Sequence, residues 1–208
     1  MSTLREIVVY TDYKSPYAYL AKAPLRSLAA ATGVRLDIRP YVLDIPQYLG
    51  SAQVDAAGVV MAENRNAHQW RRVRYSYMDC RRQARKQGLV IRGTQKIWES
   101  GLAAAGMLFA QDQGDAVFQR YHDVVFDRFW RRALDIESVA EIAGVLRESG
   151  AESGGFPEWA EIGLQRVAQI GREAEAMGVF GVPSVVVDGE LFWGQEHLHD
   201  IRALLSSG

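Results

Sequence analysis

Strand-forming sequence is confined to the two ends of this 208-residue chain, and that distribution limits the possible fold more than any other feature. Between about Gln53 and Met177 the strand signals largely vanish and helical periods dominate. Any sheet must therefore combine segments that lie far apart in the sequence. A doubly wound fold would need strands and helices that alternate through the middle of the chain, and that alternation is absent.

The beginning of the chain predicts a strand, a helix and a second strand. Leu4–Tyr10 is apolar and rich in β-branched residues, which is typical of a buried strand. Helical spacing of apolar residues begins at Pro16 and ends near Gly33. Val34–Leu43 then alternates apolar and charged residues, as a strand with one buried face does. This segment therefore predicts a βαβ unit.

The middle of the chain predicts a block of helices, and the end predicts a hairpin followed by a helix. The five predicted helices are Ala62–Gln87, Ile97–Asp112, Ala116–Arg131, Ile136–Glu148 and Pro157–Met177. Near the end, Asp188 and Gly189 form the dipeptide most typical of a tight turn. They separate two predicted strands, Ser184–Val187 and Glu190–Trp193, and the helix Gln195–Leu205 closes the chain.

This order of elements predicts an α/β protein with a thioredoxin-like fold and a large all-helical insertion. Residues 1–52 and 178–208 would form the discontinuous thioredoxin-like domain, and residues 53–177 the helical insertion domain. Aromatic residues recur at helical spacing in the insertion and predict its core. They are Trp98, Phe109, Phe126, Phe129 and Trp130, of which Trp98 is also a candidate ligand contact because it starts a predicted helix after a loop.

The composition argues against several functional classes. The formal net charge is -1, so the protein as a whole has no field that attracts nucleic acid or an anionic membrane. Cys80 is the single cysteine, so no intramolecular disulfide can form, and a cytoplasmic location is expected. The N-terminal apolar run Ile7–Val9 is too short for a signal peptide or a membrane span.

Ser15 and Pro16 mark the point at which the first strand gives way to a helix. Ser15 can cap this helix, and proline at the first helical position loses no hydrogen bond. A helix N-terminus also favours a bound anion or thiolate, and Lys14 would add a positive charge. Ser15 can therefore be a cap alone or a group that contacts a thiolate, while Lys14 can support the thiolate or point to solvent.

In a thioredoxin-like fold this corner carries C-x-x-C in the redox members. Here the four equivalent residues are Ser15, Pro16, Tyr17 and Ala18, so the corner cannot perform dithiol exchange by itself. A serine hydrolase is also disfavoured, because the G-x-S-x-G elbow is missing. The four histidines form no metal-binding pattern, and no metal site is predicted.

Two motifs carry a resemblance to a known family. "SPYAYLA" after the first strand and "GVFGVPSVVVDGELFWGQEHL" near the end resemble the 2-hydroxychromene-2-carboxylate isomerases and kappa-class glutathione transferases, a DsbA-like branch of the thioredoxin superfamily. The resemblance implies glutathione as the cofactor, a small aromatic substrate and a homodimer. It implies neither a nucleic-acid partner nor a membrane partner.

The resemblance also implies a glutathione site. Ser15 would donate a hydrogen bond to the glutathione sulfur, so that the serine assists a borrowed nucleophile. Val182 would offer its backbone to the cysteinyl part, and Pro183 would be the cis proline of the fold. The segment that would hold the γ-glutamyl end consists of Trp193, Gly194, Gln195 and Glu196. The family commonly has aspartate and arginine where this chain has Glu196 and His197, and a small or apolar residue where it has Lys14.

In the related isomerases, the helix that starts the insertion and the loop before it bind a carboxylate-bearing aromatic substrate. The corresponding candidates here are Asn64, Arg65, Arg72 and Tyr75, with Lys14 and Trp98 as further substrate contacts. The basic run Arg71–Lys86 is interpreted as a solvated face rather than a nucleic-acid surface. Cys80 in the same helix is interpreted as an inert thiol, with a reactive one as the alternative.

These observations predict a glutathione-dependent isomerase or kappa-type transferase, in which Ser15 and the helix N-terminus stabilise the glutathione thiolate for addition to an aromatic or enone carbon. Two alternatives remain open. One is a relative of the DsbA-like protein-disulfide oxidoreductases, which the missing C-x-x-C argues against. The other is a non-catalytic thioredoxin-like binding protein in which Ser15 is only a cap.

Overall fold

The computed structural model of the protein describes residues 5–206. Its strands are β1 (Glu6–Thr11), β2 (Arg35–Pro40), β3 (Ala52–Val54), β4 (Val60–Glu63), β5 (Ser184–Val187) and β6 (Glu190–Trp193). Its α-helices are α1 (Pro16–Thr32), α2 (Ile45–Leu49), α3 (Ala67–Lys86), α4 (Gly101–Gln111), α5 (Asp115–Trp130), α6 (Val139–Glu148), α7 (Phe156–Ala176) and α8 (Leu198–Ser206). Leu4, at the start of the first predicted strand, lies outside the described residues.

The main sheet joins the two ends of the chain. Its strand order is β2-β1-β5-β6. Val9 of β1 pairs in parallel with Ile38 of β2 and antiparallel with Val185 of β5. The β5–β6 hairpin then adds the edge strand, with Val185 opposite Phe192. The predicted βαβ unit and C-terminal hairpin are confirmed, and the fold is the thioredoxin-like fold that the distribution of strands predicts.

All five predicted helices of the middle segment are present, and three of them, α3, α4 and α6, start three to five residues later than predicted. Helix α3 begins at Ala67 because Asn66 caps it in a reciprocal pair with Gln69. Helix α4 begins at Gly101, so Trp98 lies in the preceding loop and not in a helix. The backbone of that loop contacts β3 instead of forming a helical turn: the Gln95 carbonyl accepts a hydrogen bond from the Val54 amide at 2.8 Å.

The prediction of an entirely helical middle segment was wrong at its start. Strands β3 and β4 form a separate antiparallel hairpin there, and Ala52 pairs with Glu63. With three and four residues, these strands are too short to show a clear alternation, and β4 is exposed along its whole length. The short helix α2, capped by Asp44, was not predicted either. The domain boundaries at residues 52 and 178 stay a prediction.

Helix α4 forms the centre of the helical block and permits unusually close contacts. A Cβ atom on Gly106 would lie 2.2 Å from the Tyr121 hydroxyl of α5. A Cβ atom on Gly163 of α7 would lie 2.8 Å from the Cβ of Ala105. These two glycines therefore let α5 and α7 pack directly against α4.

Aromatic side chains join the helical block to the sheet layer. Phe126 of α5 is completely buried and stacks on Tyr19 of α1, with ring centroids 5.2 Å apart. Phe129 and Trp130 are also buried, which confirms their prediction as core residues. Among residues 5–206, no helix combines the length and apolar character needed to span a bilayer.

Candidate functional site

Ser15 lies at the corner between β1 and α1 and is 4% exposed. Its hydroxyl oxygen accepts a hydrogen bond from the Ala18 amide at 3.2 Å, so the residue caps the helix as predicted. The same hydroxyl donates to the Val182 carbonyl at 3.4 Å. Ser15 therefore does more than cap α1, because its hydroxyl faces the loop that precedes β5.

The loop opposite Ser15 contains a cis peptide bond between Val182 and Pro183, as the resemblance implies. The Pro183 carbonyl accepts a hydrogen bond from the Gly194 amide at 2.9 Å, which ties this loop to the end of β6. Within residues 5–206, the Val182 amide makes no hydrogen bond. An unbonded backbone donor thus lies at the corner beside the Ser15 hydroxyl, which is itself bonded to the Val182 carbonyl.

The segment after β6 continues the same edge of the site. Trp193 is half exposed and its ring lies 5.1 Å from the ring of Phe180. Gly194 has a φ of 101° and a ψ of 161°, a conformation that is essentially restricted to glycine. The Glu196 carboxylate folds back over this glycine, since a Cβ there would lie 2.2 Å from its Oε2 atom. The Gln195 side chain donates to the Gln83 side chain of α3.

Lys14 does not point to solvent, so that alternative was wrong. Its side chain is only 5% exposed, and its Nζ atom lies 3.8 Å from Oδ2 of Asp12, whose side chain is 1% exposed. Oδ1 of Asp12 accepts a hydrogen bond from the Lys14 amide at 3.1 Å, and Oδ2 accepts one from the Leu43 amide at 2.8 Å. Next to Ser15 there is therefore a buried ion pair built around Asp12.

Burial disfavours the charged form of the Asp12 carboxyl group. Burial raises its pKa, and the charge of Lys14 and the amide of Leu43 oppose that rise only in part. Ser100 of the helical block is completely buried and close enough to lower the pKa of Asp12, yet its hydroxyl makes no hydrogen bond within 3.5 Å. Sequence reasoning missed Asp12 and Ser100. The available signals were an acid directly after β1 and a serine directly before α4.

A second ion pair, in the helical block, interacts electrostatically with Lys14. Glu137 forms an ion pair with Lys96 at 2.5 Å. Burial acts to raise the pKa of Glu137, but the hydrogen bond from Lys96, the Glu99 amide and the charge of Lys14 lower it. The Lys96 ammonium also lies 4.3 Å from the ring centroid of Trp98. The ring of Trp98 therefore lies beside the Lys96–Glu137 ion pair.

The structure uses Asn64 and Arg65 for local contacts. The Asn64 side chain accepts a hydrogen bond from the Ser51 amide, and the Arg65 guanidinium donates to the Leu49 carbonyl at 2.9 Å. Both residues therefore brace the start of the helical block. Their proposed contact with substrate stays a prediction.

Helix α3 approaches the corner with its later turns. The Tyr17 hydroxyl of α1 donates to Asp79 at 3.4 Å. Arg72 and Tyr75 are exposed and lie one to two turns before Asp79 on the same helix. Their proposed contact with substrate also stays a prediction.

Cys80 has the properties of an inert thiol. It is completely buried, and burial raises its pKa to about 12. The Tyr17 hydroxyl lowers this pKa only in part. Because a thiol reacts through its thiolate, this environment favours the inert interpretation over the reactive one.

Comparisons with known proteins agree with this architecture. A family model for the DSBA-like thioredoxin domain matches residues 6–206. A 2-hydroxychromene-2-carboxylate isomerase from Sphingobium xenophagum is 28% identical over 205 residues, which cover 97% of this chain and 98% of the relative.

Two solved structures show the same fold. One is a 2-hydroxychromene-2-carboxylate isomerase, with a TM-score of 0.71, 22% identity and coverage of 97% of this chain and 95% of that chain. The other is the cytosolic disulfide reductase DsbM from Pseudomonas aeruginosa with GSH, with a TM-score of 0.65, 16% identity and coverage of 97% and 98%.

Proposed function

The chain belongs to the family of DsbA-like thioredoxin domains, and we propose that it is a glutathione-dependent isomerase or kappa-type transferase for small aromatic or enone electrophiles. One observation carries the proposal: the Ser15 hydroxyl faces the Val182 carbonyl at a redox corner that has no cysteine. A thiol at this point has to come from a bound molecule. The structure solved with GSH supports glutathione as that molecule, and the similar isomerase supports an isomerisation as the reaction.

The residues at the corner fit glutathione. The unbonded Val182 amide and its carbonyl can pair with the cysteinyl backbone as a neighbouring strand would. The Glu196 carboxylate can accept hydrogen bonds from the γ-glutamyl ammonium, and the Gln195 amide lies next to it. When bound, glutathione supplies a thiol nucleophile, which is the chemistry that the corner itself lacks.

Ser15 and the N-terminus of α1 would act on that thiol, the first by a hydrogen bond and the second by its positive electrostatic potential. Ser15 would turn its hydroxyl from the Val182 carbonyl to the sulfur and donate to it, while its oxygen keeps the bond from the Ala18 amide. The N-terminus of α1 adds positive potential at the same point, and both effects lower the pKa of a bound thiol. The Lys14 charge contributes less than its position suggests, because Asp12 compensates it.

The same proposal includes a homodimer, which the family resemblance supports. It also includes a cytoplasmic location, because the single cysteine is buried and forms no disulfide. A disulfide oxidoreductase is the less favoured alternative, because Ser15 and Ala18 occupy the positions of the two redox cysteines. Turnover in an insulin-reduction assay without added thiol would favour the disulfide oxidoreductase instead.

Calorimetry with glutathione at millimolar concentration tests the proposal. We expect saturable binding, and weaker binding of S-methylglutathione, because the methyl group removes the thiolate that Ser15 would contact. The absence of any glutathione binding would refute the proposed function and leave the non-catalytic binding protein as the favoured interpretation.

A further inference from the structure

Lys14 is a buried charged group whose hydrogen-bonding capacity the fold does not use. Resting on the function proposed above, we propose that its ammonium group binds the carboxylate of the electrophilic substrate on the side of the Ser15 corner that faces the helical block. Lysine is not the residue that the family resemblance predicts at this position, so this feature belongs to the present chain.

The hydrogen bonds of the Asp12 carboxylate are made without the ammonium group of Lys14. Its two oxygens accept hydrogen bonds from the amides of Lys14 and Leu43 at 3.1 and 2.8 Å, and the Ser100 hydroxyl lies nearby. The ammonium lies 3.8 Å from Oδ2, which is beyond hydrogen-bonding distance. Asp12 therefore balances the charge of Lys14 and fixes its backbone, but leaves its donors free.

An ammonium group has three donors, and within residues 5–206 the Nζ atom of Lys14 makes no hydrogen bond within 3.5 Å. Burying such a group is unfavourable unless the partners compensate for the lost water, and an apolar side chain of the same size would avoid the cost. The ion pair with Asp12 offsets the charge of the lysine but supplies none of its three hydrogen bonds. A ligand oxygen would supply the missing partner.

The position of the ammonium fits a ligand that also reaches Ser15. Lys14 precedes Ser15 directly, and its side chain keeps 5% of its surface exposed. Its charge acts on Glu137, whose partner Lys96 lies 4.3 Å from the ring centroid of Trp98. An aromatic carboxylate bound through Lys14 would therefore lie beside Ser15 and the bound thiol, with Trp98 as the candidate contact for its ring.

The test compares a carboxylate with its uncharged analogue. Salicylate and salicylamide are titrated into the wild-type protein and into Lys14→Met, Lys14→Arg and Lys86→Met, each with and without saturating glutathione. Lys86 is an exposed lysine at the end of α3 and serves as the control for the loss of one positive charge. We expect Lys14→Met to bind salicylate at least tenfold more weakly and to bind salicylamide as the wild type does. Lys14→Arg should keep most of the affinity, and Lys86→Met all of it.

Several results would overturn the proposal. Equal preference of the wild type for salicylate and salicylamide would do so, as would an unchanged salicylate affinity in Lys14→Met. Loss of glutathione affinity with unchanged salicylate affinity would instead assign the ammonium to the glycyl carboxylate of glutathione. The proposed function is tested separately, because it fails when the wild type binds no glutathione, whatever salicylate does.

A measurement on the wild-type protein covers the case in which Lys14→Met does not fold. Reductive methylation of Lys14 by formaldehyde and borohydride is followed by mass spectrometry of its peptide. Saturating salicylate should slow the methylation of Lys14 at least threefold and leave Lys86 unaffected, while salicylamide should slow neither. Equal rates at Lys14 with and without salicylate contradict the proposal.

Discussion

The two sides of the Ser15 corner are built from different kinds of group. On the side of Val182 and Gly194 the available groups are a hydroxyl, backbone amides and backbone carbonyls. On the side of the helical block, Asp12 and Lys14 form a buried pair of opposite charges. The first side recognises a ligand by the geometry of its hydrogen bonds, and the second can discriminate by charge.

This difference has an energetic consequence. Neutral hydrogen-bonding groups cost little when no ligand is present, because they bond to one another, as Ser15 does with Val182. Buried charges have no such alternative and depend on each other. Substitutions on the charged side should therefore mainly reduce the free energy of unfolding. Substitutions on the neutral side should change ligand affinity at least as much as stability.

The largest effect is expected for Asp12→Ala. The substitution leaves the buried Lys14 ammonium without a counter-charge and two amides without an acceptor, which should reduce the free energy of unfolding by about 3–5 kcal/mol. Urea denaturation measures it. The control is Asp55→Ala, which removes a carboxylate that accepts from the Val59 amide in an exposed turn at 2.9 Å and should cost only about 1 kcal/mol.

Adding Lys14→Met to Asp12→Ala should recover part of the lost stability, because the uncompensated charge disappears. A double variant that is less stable than the sum of the two single effects would show that the pair is not the reason for the destabilisation.

Gly194→Ala should give the next largest effect, this time on the neutral side. The φ of 101° and ψ of 161° disfavour any residue with a Cβ, and the new atom would also displace the Glu196 carboxylate. We expect a loss of about 1–3 kcal/mol in stability together with weaker glutathione binding. Gly144→Ala in α6 is the control, because nothing lies within 4 Å of its added Cβ and alanine should stabilise the helix by about 0.5–1 kcal/mol. If Gly194→Ala binds glutathione as the wild type does, the segment from Trp193 to Glu196 does not contact glutathione.

The pH dependence of stability should separate the two sides as well. Burial raises the folded-state pKa of Asp12 above its unfolded value, so the folded state binds more protons between the two values. The contribution of this group should therefore decline as the pH rises from about 4 towards the folded pKa, by up to about 1.4 kcal/mol per pH unit. The variant with both Asp12→Asn and Lys14→Met should lack this decline relative to the wild type in urea titrations at a series of pH values. Parallel curves for the two proteins would show that Asp12 titrates alike in both states.

Ser15→Ala should have a moderate effect on folding and a specific effect on the bound thiol. The loss of the cap on α1 should cost about 1 kcal/mol. The pKa of bound glutathione should rise by about one unit, because a hydrogen bond to the thiolate is lost. The thiolate absorbance of the complex as a function of pH measures this shift, and Ser138→Ala, which removes the equivalent cap of α6, is the control. An unchanged thiol pKa leaves Ser15 as a cap alone.

The sequence allowed the fold and the neutral side of the corner to be predicted, for different reasons. The strand segments at the two ends required a sheet that joins distant parts of the chain, and in the structure β1 pairs with β5. The position of Ser15 opposite Val182 came from the resemblance, since no local pattern links residues so far apart in the chain.

The charged side was not predictable from the sequence. A lysine in a loop is exposed by default, whereas the Lys14 side chain is buried beside Asp12. Two residues of the helical block interact with this pair: Ser100 lowers the pKa of Asp12, and the charge of Lys14 lowers the pKa of Glu137. The prediction started helix α4 at Ile97 instead of Gly101, so it placed Ser100 inside a helix and not directly before one.

The smallest effect is expected for Arg72→Met, which tests whether the charged side of the site extends to α3. Arg72 is exposed, so its attraction for a ligand carboxylate is weakened by water and salt. We expect a change in stability below about 0.5 kcal/mol and a loss of salicylate affinity of at most about threefold, which should vanish at high salt. The effect of Lys14→Met should persist at high salt, because a buried charge is screened much less. A salt-resistant, tenfold loss in Arg72→Met would move the carboxylate site to the entry of α3 and would make Asp12 and Lys14 a purely structural pair.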